Sequence, residues 1–124
     1  YLQYSFARAM RILEKGNGSL EEFINEKNES IRCDLLNHDM ERDLIKEISK
    51  FNIIIEESLN TLNPKILTKY ANKLCTKFNS FYENLPVLSA EVMLKVSRLM
   101  LVKVFVNVLS NLFKILGIES FSRI

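Results

Sequence analysis

A chain of 124 residues is one domain by length, and with 48% hydrophobic and 26% charged residues it has the ordinary make-up of a globular protein with its own core. The formal net charge of +2 hides an uneven distribution: residues 1–18 carry three basic side chains against one acidic, residues 19–59 five against eleven, and residues 60–124 nine against three. Three glycines, two isolated cysteines and one histidine exclude a glycine-rich phosphate loop, a disulfide framework and a histidine-based metal cluster or triad.

The hydrophobic period is helical from end to end. The chain opens at Tyr1 already inside a helical pattern, as a piece of something longer would. That pattern predicts a first helix over residues 2–15, stopped by Gly16-Asn17-Gly18. Ser19 followed by Glu22 makes a capping-box pattern for a short second helix to about residue 27. Residues 28–38 are polar and predict a loop, with room for a short turn around residues 31–36. Asp39 is the expected cap of one long helix through residue 62, with Leu44, Ile48, Phe51 and Ile55 on one face. Asn63-Pro64 restarts the chain as an N-cap followed by a first-turn proline, and this helix ends at Asn84, before Pro86. Ser89 is the expected cap of the last helix, which Gly117 closes. No strand-like alternation competes. The fold class is therefore all-α: one domain over residues 1–124, a bundle of four main helices plus one or two short ones.

The stretch 92–118 is apolar enough to suggest a membrane span, yet it carries Lys95, Arg98, Lys103 and Lys114. Each charge near a bilayer centre costs roughly 2.5–3.5 kcal/mol, so a buried helix of a soluble bundle is the better reading. Lys103, Asn107, Ser110 and Lys114 form one narrow polar stripe, which predicts that this is the central helix against which the others pack.

Helical angles sort the remaining side chains. Leu67, Ala71, Leu74, Phe78 and Phe81 share a core face, with Tyr82 on its shoulder and Asn79 further out. On the first helix Leu2, Phe6, Ala9 and Leu13 form the core stripe, and Tyr1, Tyr4, Arg8 and Arg11 gather on the opposite side. Tyrosines interleaved with arginines suit base stacking and phosphate binding. A patch covered by another domain has the same composition, and the angles leave both readings open.

Three stretches carry a family resemblance: "YLQYSFARAMRIL", "FNSFYENLPVL" and "ILGIESFSRI". In this order they resemble the C-terminal, all-helical anticodon-binding domain of arginyl-tRNA synthetases, the DALR family, across the whole chain and least well over residues 16–60. The resemblance implies that the domain grips the anticodon stem-loop of tRNA(Arg). The tRNA is thereby oriented for ATP-dependent arginylation by a separate class I catalytic domain of the same chain. ATP and magnesium would belong to that catalytic domain, whose signatures are absent from this sequence, and no catalytic residue is expected here. The family places the tyrosines of its opening motif, the tyrosine of its "FYEN"-like motif and its chain end at the anticodon loop, which brings in Tyr1, Tyr4, Tyr82, Arg123 and Ile124. Members usually end in methionine, where this chain has Ile124, and some carry an aromatic at the place of Pro86. Arg8 matches the family's motif arginine, with either a phosphate contact or helix packing as its role. Arg11 and Asn79 complete the expected tRNA-contacting set. A cytoplasmic location follows, with Cys33 and Cys75 as reduced thiols and with neither membrane nor DNA as a partner. The alternative is a protein-interaction module that kept the fold and lost the RNA, docking a partner through Tyr1, Tyr4 and the apolar face of the last helix. Salt separates the two, because binding through several Lys and Arg weakens steeply as salt rises.

Overall fold

The computed structural model describes the backbone of residues 2–27 and 36–117, and the side chains of residues 2–16, 36–91 and 93–117. The described residues form five helices: α1 (Leu2–Lys27), α2 (Asp39–Ser49), α3 (Phe51–Thr61), α4 (Lys65–Asn84) and α5 (Val92–Leu116). The all-α class holds, but two predicted boundaries move.

First, α1 does not stop at Gly16. It runs on through Asn17 and Gly18 to Lys27, so Ser19 lies inside a helix rather than capping a second one. Gly16 is buried, and a methyl group placed on it would come within 2.6 Å of Leu99 Cδ2 on α5 and 3.1 Å of Leu88 Cδ2. The missing side chain allows α1 and α5 to approach closely, and here that role outweighs the glycine's tendency to end a helix.

Second, the long helix predicted from Asp39 is two helices, broken at Lys50 with neither glycine nor proline present. The Tyr70 hydroxyl on α4 donates to the Glu47 carbonyl and lies 3.4 Å from that of Ile48. An unbroken helix would pair those two carbonyls with the amides of Phe51 and Asn52. A tertiary donor takes their place, and the chain turns at Lys50, whose own N–H bonds back to Glu47.

The caps shift in the same way. His38, not Asp39, is the N-cap of α2. Its Nδ1 accepts from the Met40 amide at 3.2 Å, and Glu41 Oε1 accepts from the His38 amide at 3.0 Å. At the start of α4 the cap is Pro64 rather than Asn63, whose Oδ1 nevertheless accepts from the Lys65 amide at 3.1 Å. At the start of α5 the cap is Glu91 rather than Ser89, and its carbonyl accepts from Lys95. Gly117 ends α5 with φ 73°, and Leu62 ends α3 in the same left-handed region at φ 52°.

The centre is shared. α4 touches all four other helices, and α5 packs along α1 with further contacts to α2 and α4. The predicted core face of α4 is buried from Leu67 to Phe81, and Phe78 stacks on Phe105 of α5 with ring centres 4.2 Å apart. Phe6 of α1 meets Phe113 of α5 at 5.4 Å. Met93–Leu116 is long and apolar enough to cross a membrane, but Leu99, Val102, Phe105, Leu109 and Leu112 are fully buried within the bundle. Of the charges on α5, Arg98 is buried and paired: its Nε lies 2.8 Å from Glu41 Oε2, and its Nη1 donates to the Pro86 carbonyl at 2.5 Å. Lys103 and Lys114 lie in the exposed stripe, as predicted. Cys75 is a buried free thiol, with its pKa pushed up to about 12 by burial despite a hydrogen bond with Ser5. Cys33 lies outside the described residues.

Candidate nucleic-acid interface

The spacing of Tyr4, Arg8, Arg11 and Lys15, at intervals of four, three and four, sets them along one side of α1. Tyr82 comes from the last turn of α4, and the chain then turns sharply through Leu85, Pro86 and Ser89 because proline cannot continue the helix. These three pieces enclose an open cleft of about 360 Å³, lined by both tyrosines, the three cations, Ile12 and the 85–89 turn. The turn is held from behind, since the Pro86 carbonyl receives the buried Arg98 guanidinium.

Arg8 organises the mouth. Its Cζ stands 4.7 Å above the Tyr4 ring and 4.3 Å above the Tyr82 ring. Nη2 donates to the Tyr4 hydroxyl at 2.9 Å, and Nη1 donates to Asn79 Oδ1 at 3.1 Å. Asn79 Nδ2 in turn donates to Ser5 Oγ, and Ser5 is wholly buried. Glu83 lies 3.9 Å from Arg8 but is exposed, so that ion pair contributes little. A cation over an aromatic face contributes about 0.5–1 kcal/mol at exposed sites and more when desolvated. The Arg8 side chain is 18% exposed, well covered for an arginine.

Tyr4 and Tyr82 are 45% and 39% exposed, so each keeps ring surface toward solvent. Phe81, one residue before Tyr82, is fully buried, which separates a core ring from a surface ring within a single turn. Arg11 is exposed in the cleft. Asn79, expected among the contact residues, uses its amide internally to brace Arg8 against Ser5. Tyr1, Arg123 and Ile124 lie outside the described residues.

The helical angles put Arg8 opposite the core stripe of α1, with a phosphate contact and helix packing both open as its role. It sits in the seam with α4, which angles around one helix could not decide because they do not say where its neighbour lies. Sequence reasoning also missed Lys15, which continues the spacing of Arg8 and Arg11, and Arg98, whose signal was a lone arginine on an otherwise apolar helix that had to be paired if buried. Among the described residues no group of three His, Cys, Asp or Glu side chains is placed to hold a metal ion.

Comparison with known proteins shows the family. The DALR anticodon binding domain family matches residues 2–124. Arginine–tRNA ligase of Thermococcus sibiricus is 40% identical over 126 residues, covering 97% of this chain and 19% of the relative. The ligase of Methanosarcina acetivorans is 42% identical over 95% of this chain and 20% of its own length, and that of Pyrococcus abyssi 37% identical over 99% and 19%. The chain thus spans about a fifth of the curated relatives it matches. With the family matched along nearly its whole length, the chain belongs to the DALR anticodon-binding domains.

Proposed function

We propose that this domain binds the anticodon stem and loop of tRNA(Arg) and positions the tRNA for arginylation by a catalytic domain of the same protein, where ATP and magnesium would bind. The observation that carries this reading is the cleft itself, in which two half-exposed tyrosines and three cations stand together at one end of the bundle. Bases stack on aromatic faces whatever their identity, and cations alongside hold the phosphates that follow. On this reading Tyr4 and Tyr82 take bases, while Arg11 and Lys15 face the backbone. Tyr1, Arg123 and Ile124 join the surface by family resemblance. Translation in the cytoplasm is the expected setting.

The rival reading, a partner-docking module, called on the apolar face of the last helix. Most of that face is buried against the other helices, which favours RNA. Titration of the full-length protein with transcribed tRNA(Arg) over a range of salt tests the choice. Tyr82→Ala is expected to weaken binding about tenfold or more, since stacking contributes roughly 1–3 kcal/mol per base. Affinity should also fall steeply with salt. Salt-insensitive binding that ignores Tyr82 would return the domain to protein docking. The isolated 124 residues should show no arginine-dependent pyrophosphate exchange with ATP, and a positive result would place catalytic groups within them.

A further inference from the structure

We infer that Arg8 is a positioning residue for the RNA-binding face, holding Tyr4 and Tyr82 in fixed planes without itself contacting a phosphate. This rests on the reading of the cleft as the anticodon surface. A guanidinium whose Cζ stands over two rings, 4.7 Å and 4.3 Å from their centres, occupies one face of each ring. Neither tyrosine can then receive a base on its Arg8 side, so a base must stack on the face turned away. Both terminal nitrogens of Arg8 are engaged by the protein, Nη2 donating to the Tyr4 hydroxyl and Nη1 to Asn79, with Glu83 nearby. Asn79 is anchored in turn on buried Ser5, so the chain of contacts runs from the core to both rings.

The consequence is preorganisation. A half-exposed tyrosine without this clamp samples several rotamers and must be frozen when a base stacks on it, whereas here folding has already fixed both rings. Two rings from two different helices are locked by one planar group, so the spacing of the two stacking platforms is set before RNA arrives. Lysine cannot replace it, because an ammonium lacks the broad planar group that covers both rings and the fork that reaches Asn79 and Tyr4 together.

The test is the salt dependence of tRNA(Arg) binding by the full-length protein carrying Arg8→Lys and Arg8→Ala, with melting temperature followed in parallel. A phosphate contact lowers the slope of log K against log salt by about 0.7 for single-stranded RNA when it is removed, and lysine largely retains it. A positioning role predicts that both variants lose roughly tenfold in affinity with the slope unchanged. It also predicts that Arg8→Lys costs nothing further in a Tyr4→Ala/Tyr82→Ala background, because Arg8 acts only through those rings. A reduced slope in Arg8→Ala with near-normal binding by Arg8→Lys would overturn the inference in favour of a phosphate contact, and full affinity in both variants would overturn it outright. Indifference of binding to the two tyrosines themselves would sink the anticodon reading instead, so the two failures are distinguishable.

Discussion

Phe81 and Tyr82 are neighbours in sequence and opposites in role. Phe81 is fully buried, so Phe81→Ala should cost about 3–5 kcal/mol as a core cavity. Tyr82, exposed on one side, should lower the melting temperature only slightly when truncated, and thermal melts of the two variants check the contrast. Equal losses would place Tyr82 in the core. Cys75 supports a second prediction at this scale. Burial pushes its thiol up to about 12 from an ordinary value of 9.0, so between those pH values the unfolded chain releases a proton that the folded chain keeps. Stability therefore falls as pH rises through that window, by about 1.4 kcal/mol per pH unit for one proton. Burial also raises Tyr70, the nearby Glu47 charge adding to the effect, so its contribution has the same sign. Urea unfolding at successive pH values should show the decline, and Cys75→Ala should make it shallower, leaving the share of Tyr70 above pH 10.0; an unchanged slope in that variant would mean the thiol is not a source.

At the level of elements, two contacts between helices decide what local sequence does not. Gly16 lies in mid-helix, where alanine would ordinarily gain about 1 kcal/mol of helix propensity. Its added methyl group would meet both Leu99 methyls at 2.6 and 2.8 Å, inside a core where Leu99 is fully buried. Overpacking of this kind costs about 1–3 kcal/mol and should win, so Gly16→Ala is expected to lower the melting temperature. Leu99→Val in the same chain should recover part of the loss, and a stabilised Gly16→Ala would show that the helices part easily. The break between α2 and α3 rests on Tyr70. Tyr70→Phe removes the donor to two buried-side carbonyls and should cost about 1–3 kcal/mol in denaturant unfolding, leaving tRNA affinity unchanged.

For the molecule as a whole, the Arg98–Glu41 pair ties three regions into one body. Glu41 caps α2 through the His38 amide, Arg98 projects from α5, and the same guanidinium holds the Pro86 turn that walls the cleft. The two side chains are 1% and 8% exposed, so Glu41→Ala leaves a buried arginine without a counter-charge and should cost about 3–5 kcal/mol. Replacing both partners by leucine and methionine should be far milder, because no stranded charge remains. A double variant as unstable as the single one would mean that packing, not charge, dominates there.

Helix class, the buried face of α4, the thin polar stripe of α5 and the exposed tyrosines were all legible from spacing alone, because each depends only on the 3.6-residue period of a single helix. The motifs of the opening and middle stretches likewise carried the family. What the period could not reveal were relations between helices. Gly16-Asn17-Gly18 reads locally as a stop, and only the nearness of Leu99 makes Gly16 a contact point. Residues 39–62 read as one helix, and only a hydroxyl from α4 explains the turn at Lys50. Arg8 and Tyr82 stand 74 positions apart, and α1 had to meet the end of α4 before a single guanidinium lay over both rings. Local sequence sets which face of a helix is apolar, whereas packing sets which neighbour covers it.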